Sequence, residues 1–239
     1  MIRKLSILMP AYNEIRFFEE SFNAIDNLVL INNIEKEIII IDDFSNDGTK
    51  EIIERIEGKN SKIKKIYHNF NQGKGAAITS GIKEMTGDYM IIRDADMEYE
   101  AADINILVNE VLLNNADVVY GSRFHANKSR RILFFWHMLG NKILTLLSNI
   151  VTNLNLTDME TCYKLISKKI LDVIILKEQR FGFEPEVTIK IANLNKIKNL
   201  KIFEVGISYN GRTYHEGKKI NWKDGFSALR CIFIYGLLK

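Results

Sequence analysis

Short apolar runs alternate, through the first half of the chain, with longer segments in which apolar residues recur every three or four positions. The runs are rich in β-branched residues and predict five strands, at residues 5–9, 37–41, 62–67, 89–93 and 117–120. This alternation predicts an α/β fold with a mostly parallel central sheet and helices on both faces. Residues 38–41 are apolar without alternation, which is typical of a strand covered on both sides, so we expect that strand at the centre of the sheet.

The second half of the chain has a different pattern. A long helical periodicity covers residues 131–151, a polar hinge follows at 153–160, and short mixed elements continue to residue 239. The sequence contains no repeats, low-complexity tracts or Pro/Gly-rich linkers. We therefore expect a single domain over residues 1–239, with two functional halves at 1–120 and 121–239.

The helical segment at 131–151 is amphipathic. Its apolar stripe consists of Ile132, Phe135, Trp136, Leu139, Ile143, Leu146, Leu147 and Ile150. Polar residues interrupt the segment, whereas a membrane span needs about 20 mainly apolar residues, so a span is excluded. Two interpretations remain open: the stripe packs in the core, or it lies in a membrane interface, as aromatic residues 134–136 beside Arg130 and Arg131 suggest. The apolar run at 231–238 is also too short to span a bilayer.

Composition narrows the function classes only slightly. The 33 basic and 30 acidic side chains give a net charge of +3, and the lysine pairs lack an aromatic stacking motif, so nucleic acid is not expected as a partner. Cys162 and Cys231 lie next to apolar residues without metal-ligand spacing, which indicates buried thiols in a reducing compartment. The N-terminal apolar stretch is too short for a signal peptide. We therefore expect a cytoplasmic protein.

An acidic motif follows the predicted strand at 89–93. Asp94 and Asp96 are two residues apart, and on an extended chain their carboxylates point the same way. Two hard oxygen donors suit Mg²⁺ or Mn²⁺, and Glu98 continues the spacing as a third candidate ligand. The alternative is a solvated acidic loop.

Two further polar clusters also admit two interpretations each. Asp42 and Asp43 end a strand, where they either accept hydrogen bonds from the turn at 45–48 or bind a base or ribose. The segment at 71–77 opens a helix with two glycines and Lys74, which favours an anion site or is a plain loop-to-helix turn. Its spacing excludes a Walker loop.

Three cations lie on separate loops. Arg123 follows a predicted strand, and Arg212 and Lys218 flank a polar loop that contains glycine. Guanidinium forks and ammonium groups fit phosphate oxygens, although surface salt bridges are the usual alternative for such side chains.

Together these segments resemble the family 2 glycosyltransferases with the GT-A nucleotide-diphospho-sugar transferase fold, most closely their polyprenyl-phosphate hexosyltransferase branch. The resemblance runs from residue 5 to about residue 225. Its eight motifs stand in order as PAYNE at 10–14, IIIIDDFSNDGT at 38–49, NQGKGAAI at 71–78, DADMEY at 94–99, GSR at 121–123, TDMETCYK at 157–164, FGFEPEV at 181–187 and RTYHEGKKI at 212–220.

The resemblance implies roles for individual positions. The residues that match donor-binding positions are Pro10, Tyr12, Glu14, Ile41, Asp43, Lys74, Asp94, Ala95, Asp96, Arg123, Arg212 and Lys218. Among them, Asp94 and Asp96 match the diphosphate-metal motif, and Glu98 stands where several relatives have glutamine. Arg123 matches a residue between the donor and acceptor phosphates.

The resemblance also implies a reaction: inverting transfer of a hexose from a nucleotide-sugar, of the GDP-mannose or UDP-glucose type, to a polyprenyl phosphate. Such an acceptor is already largely ionised at neutral pH and needs no base. If the acceptor is a glycan hydroxyl, Asp158 or Glu160 is the candidate base, with helix capping as the alternative role for both. A nucleotide-sugar-binding module without turnover is the alternative from another class.

The implied organisation assigns nucleotide-sugar binding to residues 1–120 and acceptor binding to residues 121–239. The expected location is the cytoplasmic face of a membrane, with peripheral attachment through the segment at 131–151. A separate membrane protein is a further partner compatible with this expectation.

Overall fold

The computed structural model describes residues 2–125, 131–132, 134–213 and 222–237. Seven strands form one sheet: β1 (Lys4–Ala11), β2 (Glu35–Asp42), β3 (Lys62–Tyr67), β4 (Tyr89–Ile92), β5 (Val118–Ser122), β6 (Lys164–Ser167) and β7 (Ile202–Gly206). Their order is β3-β2-β1-β4-β6-β5-β7. Only β6 runs antiparallel to its neighbours β4 and β5, and every other pairing is parallel.

Helices connect most of the strands. They are α1 (Phe18–Asp26), α2 (Thr49–Arg55), α3 (Lys74–Glu84), α4 (Ile104–Asn114), α5 (Phe135–Thr152), α6 (Lys168–Leu171), α7 (Phe183–Lys198) and α8 (Trp222–Leu237). Consecutive residues of β1, which point to opposite faces of the sheet, are buried from Leu5 to Met9, so both faces are covered. The predicted α/β class with a mostly parallel sheet is confirmed.

All five predicted strands are present, with small differences at their ends. The strand that contains residues 38–41 is β2, and these four residues are fully buried as expected. However, β2 is second from the edge rather than central, because only β3 lies outside it. The lysines of β3 are typical of an edge strand.

Two strands were not predicted. β6 has only four residues and includes Lys164, so it is too short to show a periodicity. β7 lies at the other edge of the sheet and pairs in parallel with β5, and most of its residues are half-buried. Tertiary contacts, rather than local pattern, place both strands.

The helix predicted from residue 131 begins at Phe135. Arg131 precedes the helix, and its backbone N–H donates to the carbonyl oxygen of Tyr209, 2.8 Å away. Phe134 is extended, so the helix cannot begin before Phe135. The prediction was wrong for residues 131–132 and 134; residue 133 lies outside the described residues.

Helix α5 has an inverted polarity: its buried side is polar and its exposed side is mainly apolar. Its buried residues are Thr145, Ser148 and Thr152, all polar. Apart from Lys142, its exposed residues are apolar: Phe135, Trp136, Ile143, Leu146 and Ile150. Most of the predicted apolar stripe therefore faces outward, and core packing accounts for only part of it. No helix in the described ranges is long and apolar enough to cross a bilayer.

Candidate active site

The carboxyl ends of β1, β2 and β4 open into three polar loops on one edge of the sheet, where ligands of parallel sheets bind. The acidic motif follows β4. Residues 95–96 form a turn, and Met97 has a positive φ of 58°. The assumption that Asp94 and Asp96 share an extended chain was therefore wrong, and the turn places each carboxylate beside a different cation.

Arg93, directly before the acidic turn, anchors it to the protein interior. The Arg93 side chain is 1% exposed. Its guanidinium donates to Ser21 Oγ at 3.3 Å, to the Tyr163 hydroxyl at 2.9 Å and to the backbone oxygen of Tyr99. A buried arginine with several acceptors is rigid, so the acidic turn has a fixed base.

Asp94 pairs with Lys74, which lies at the first position of α3. Lys74 Nζ is 3.0 Å from Asp94 Oδ2 and 3.1 Å from Glu184 Oε1. The Lys74 ammonium thus bridges the acidic motif to the start of α7. Burial raises the pKa of Asp94, but the Lys74 charge and hydrogen bond outweigh it, so the pKa is lowered and the carboxylate is ionised.

Asp96 belongs to a second cluster, centred on Arg212. The Arg212 guanidinium lies 3.1 Å from Asp96 Oδ2, 3.3 Å from Glu14 Oε2 and 3.5 Å from Glu98 Oε1. Burial, followed by the negative charges of Asp94 and Glu98, raises the pKa of Asp96 to about 7, although Arg212 opposes the shift. Since burial and two neighbouring carboxylates disfavour the ionised form of Asp96, an additional cation would stabilise that form.

The acidic residues fit a divalent metal in part. Asp94 and Asp96 supply hard oxygens in a region of surplus negative charge, as Mg²⁺ and Mn²⁺ prefer. Glu98 is already engaged, since Oε2 accepts from the Tyr209 hydroxyl and Oε1 from the Arg212 N–H, both at 2.9 Å. Over the described part of the chain, no three metal-ligating side chains converge. Two carboxylates, with phosphate and water as further ligands, suit these metals.

Arg123 is held by Asp158. Its Nε and Nη2 donate to the two Asp158 oxygens at 2.6 and 2.7 Å, and its backbone N–H donates at 3.0 Å. Asp158 is fully buried, and the guanidinium also lies 5.3 Å from the Tyr209 ring centroid. The alternative of a surface salt bridge was wrong for Arg123, and Asp158 positions it through a bidentate pair.

Glu160 is half-buried and lies near Glu184 and Lys164. Burial and the Glu184 charge raise the pKa of Glu160 to about 8, while Lys164 and Arg123 oppose the shift. Its Oε1 is buried without a hydrogen-bond partner among the described residues. Helix capping was wrong for both Asp158 and Glu160, because the segment leads into strand β6.

Asp43 builds a turn. Its carboxylate accepts hydrogen bonds from the backbone N–H groups of Gln72 and Gly73, at 2.9 and 2.7 Å, and from Asn71 Nδ2 at 2.9 Å. His68 Nδ1 lies 2.7 Å from the same carboxylate. Asp42 accepts from the Ser45 N–H. Hydrogen bonding by the turn at 45–48, the alternative considered for this pair, is confirmed for Asp42 only. It was wrong for Asp43, whose carboxylate is held by residues 25 to 30 positions further along the chain.

The glycines at 73 and 75 make room for protein backbone. A Cβ on Gly75 would lie 2.2 Å from the Glu178 carbonyl oxygen, and one on Gly73 would lie 2.6 Å from that of Gln179. Ala76 N–H donates to the same Gln179 oxygen at 3.0 Å. The loop-to-helix interpretation thus describes these glycines, and Lys74 is directed toward Asp94.

Sequence reasoning named most of these side chains but not their pairings. It did not single out Glu184, although FGFEPEV was one of the quoted motifs, and it did not find Arg93 or Tyr209. Ile41 and Ala95 are buried, Pro10 is half-buried, and Tyr12 is 40% exposed. Lys218 lies outside the described residues.

The parallel strands end at an acidic turn that half-buried cations flank. Together with the sheet order, this defines a GT-A-like α/β fold. The chain belongs to glycosyl transferase family 2, whose family model matches residues 6–175. The resemblance noted in the sequence is confirmed at this level.

Two curated relatives match most of the chain. The chain is 28% identical over 238 residues to a dolichol-phosphate mannosyltransferase of Pyrococcus furiosus, covering 99% of this chain and 64% of the relative. It is 27% identical to a dolichyl-phosphate beta-glucosyltransferase of Trichomonas vaginalis, covering 86% of this chain and 65% of that protein. The chain thus spans slightly less than two thirds of the length of these relatives.

Solved structures share the fold. Glucosyl-3-phosphoglycerate synthase from Mycobacterium tuberculosis, in complex with Mn²⁺, UDP and its glucosylated product, superimposes with a TM-score of 0.73 at 16% identity. The match covers 98% of this chain and 80% of the synthase.

Proposed function

We propose that the protein transfers a hexose from a nucleotide-sugar to a polyprenyl phosphate, with inversion at the anomeric carbon. The family membership and the named activities of the two relatives support this reaction. The observation that carries the choice of a lipid acceptor is the inverted polarity of α5, which presents an apolar surface within the half of the chain assigned to the acceptor.

On the donor side, the proposal assigns the diphosphate to the acidic turn. Asp94 and Asp96 would hold Mg²⁺ or Mn²⁺, with Glu98 as a third ligand only if it exchanges its present hydrogen bonds. The bound metal would supply Lewis-acid neutralisation of the leaving diphosphate. The Mn²⁺ complex of the structurally similar synthase supports a divalent ion of this kind.

Arg212 supplies the next positive charge. It lies against Asp96 and Glu14, beside the place assigned to the diphosphate, so its guanidinium can stabilise the negative charge that develops on the leaving group. Lys218, on the same loop sequence, is proposed to assist. Glu14 and Tyr12 are proposed to contact the nucleotide, and Asp43 to shape the loop that holds it.

On the acceptor side, Arg123 is proposed to orient the lipid phosphate. The bidentate pair with Asp158 fixes its guanidinium. A phosphate oxygen near this arginine would be largely ionised, so it could attack the anomeric carbon without a protein base. Residues 1–120, joined by Arg212 and Lys218 from the second half, would then serve the donor, and the remainder of 121–239 the acceptor, within one domain.

A radiolabelled-donor assay tests the proposal. Protein is incubated with GDP-mannose or UDP-glucose, a short polyprenyl phosphate and Mn²⁺, and lipid-linked label is extracted. We expect product with one donor and a loss of more than about 100-fold in Asp94→Asn. Asp172→Asn, at an exposed carboxylate, is the matched control. Absence of lipid-linked product with every common donor would overturn the proposal.

A second reaction, transfer to a glycan hydroxyl, is favoured by Glu160. Asp158 is engaged by Arg123 on both oxygens, whereas Glu160 has a buried oxygen without a partner among the described residues. Because the pKa of Glu160 is raised to about 8, it would accept the proton of a hydroxyl mainly at or above that pH. Loss of transfer to a hydroxyl acceptor in Glu160→Gln, with UDP or GDP binding retained, would identify this reaction. Equal transfer by the variant and the unmodified protein would exclude it.

A further inference from the structure

A line of alternating charges runs from the acidic turn into the interior. Lys74 Nζ lies between Asp94 Oδ2 at 3.0 Å and Glu184 Oε1 at 3.1 Å. The Glu184 side chain is 5% exposed, and Lys74 is 17% exposed. The ammonium is therefore shared by two carboxylates: that of Asp94 in the acidic turn, and the more buried one of Glu184.

The shared ammonium has a consequence for cation binding at Asp94. A lysine that pairs with Asp94 alone would offset its negative charge and compete with a metal for the same carboxylate. The Glu184 carboxylate lies 3.1 Å from the same ammonium and partly neutralises its positive charge. Asp94 thereby keeps more negative charge toward the acidic turn.

The surroundings of Glu184 favour this assignment. Its second oxygen, Oε2, is buried and has no hydrogen-bond partner within the described ranges. Lys164 and Glu160 are its other charged neighbours, and Glu160 holds its proton up to about pH 8 because burial and Glu184 raise its pKa. Among the described residues, Lys74 is thus the only cation within 4 Å of a Glu184 carboxylate oxygen.

We propose that Glu184 is a positioning residue that sets the divalent-cation affinity of Asp94 by holding and neutralising Lys74. The inference rests on the proposed function in one respect, that Asp94 ligates a metal. It removes Lys74 from the phosphate contacts and makes it the internal counter-ion of the acidic turn.

Mn²⁺ binding, followed by electron paramagnetic resonance with UDP or GDP present, tests this role without turnover. We expect Glu184→Gln to weaken Mn²⁺ binding by about 10- to 100-fold, as loss of outer-shell partners of metal sites commonly does. Glu186→Gln is the matched control. Glu186 is fully buried on the same helix but accepts from Lys190 and the backbone of residues 177–178, so we expect unchanged Mn²⁺ affinity.

The double variant Lys74→Met/Glu184→Gln separates charge tuning from damage to the fold. With the competing ammonium removed, Mn²⁺ affinity should return to the unmodified level or exceed it. If Glu184→Gln does not fold, Glu184→Asp, which withdraws the carboxylate from Lys74, should weaken Mn²⁺ binding in the same direction.

Two results would overturn the inference: unchanged Mn²⁺ affinity in the folded Glu184 variant, or a double variant as weak as the single one. Failure of the unmodified protein to bind Mn²⁺ with either nucleotide would instead contradict the metal assignment in the proposed function. The two failures are therefore distinguishable.

Discussion

At the scale of single residues, Asp96 is the group whose charge state controls the acidic turn. Its pKa of about 7 arises from burial first and then from Asp94 and Glu98. Protons and a divalent cation compete for this carboxylate, so protonation below about pH 7 opposes metal binding.

We predict that Mn²⁺ affinity rises by up to about tenfold per pH unit as the pH increases toward 7, and levels off above it. Asp96→Asn should bind Mn²⁺ more weakly and with a flatter dependence on pH. Calorimetric titrations between pH 5.5 and 8.5 would measure both. A pH dependence equally steep in the variant would assign the effect to another group.

Glu160 makes a prediction about stability. Its pKa is about 8 in the folded protein against an ordinary 4.5, so the folded state keeps a proton that the unfolded state releases. The free energy of unfolding should therefore fall as the pH rises from about 4.5 to about 8, by up to about 1.4 kcal/mol per unit.

Glu160→Gln, which cannot ionise, should remove this contribution to the slope. Urea denaturation at pH 5, 7 and 8.5 would compare the two proteins. Parallel pH profiles would show that Glu160 is ionised in the folded state and that its burial is less costly than inferred.

At the scale of elements, the start of α3 is fixed by contact with the loop that precedes α7. We predict that Gly75→Ala costs several kcal/mol, because its Cβ would lie 2.2 Å from the backbone oxygen of Glu178. Gly140→Ala in α5 is the matched control: nothing lies within 4 Å of that Cβ, so helix propensity should stabilise the protein by up to about 1 kcal/mol.

Thermal and urea unfolding of the two variants would test this contrast. Similar stabilities would mean that the loop at 178–180 moves away from α3 without loss. In that case the glycines would regain a direct role in ligand binding.

The inverted polarity of α5 makes a second prediction at this scale. Ile150→Gln replaces a side chain that is 68% exposed and should change the free energy of unfolding by less than about 0.5 kcal/mol. Thr145→Val removes the hydroxyl that accepts from the Met159 N–H at 3.1 Å, and should cost about 1–3 kcal/mol.

For these two α5 variants, urea denaturation is the measurement. The reverse order, with Ile150→Gln the more destabilised, would show that the apolar stripe is buried in solution. It would remove the main support for a lipid acceptor.

At the scale of the whole molecule, α5 and α8 pack together and carry apolar side chains on their outer surfaces. The exposed apolar residues of α8 in the described part of the chain are Phe226, Leu229, Phe233 and Leu237. Helix α5 contains Lys142 and no acidic residue, so no negative side chain of this helix would repel anionic lipid headgroups. We propose that this surface attaches the protein peripherally to a membrane.

Flotation with vesicles that contain anionic lipid would measure the attachment. We predict at least about tenfold weaker binding in Trp136→Ser/Leu146→Ser, because two buried apolar contacts with lipid are lost. Leu113→Ser/Ile197→Ser removes equally exposed apolar residues elsewhere and should bind normally. Equal binding by both double variants would exclude α5 as the membrane contact.

The predictable part of the fold came from strands with strong local patterns. β1 and β2 each contain a run of apolar residues, at 7–11 and 38–41, and the acidic and basic motifs follow strand ends in the way that parallel sheets require. β6 and β7 could not be found in this way, because one is four residues long and the other is a half-buried edge strand.

The site shows the same division. Its residue types and order along the chain sufficed to indicate Asp94, Asp96, Arg123 and Arg212. Their partners could not be inferred, because Arg123 and Asp158 are 35 positions apart and Arg212 and Glu14 are 198 apart.

Local periodicity and motifs read in order were enough to predict the α/β class, the family and the set of charged residues. The pairing of those charges and the outward face of α5 could be read from the folded chain alone. Both depend on distances between segments remote in the chain, and those distances turned Lys74 inward to Glu184 and left the apolar stripe of α5 exposed.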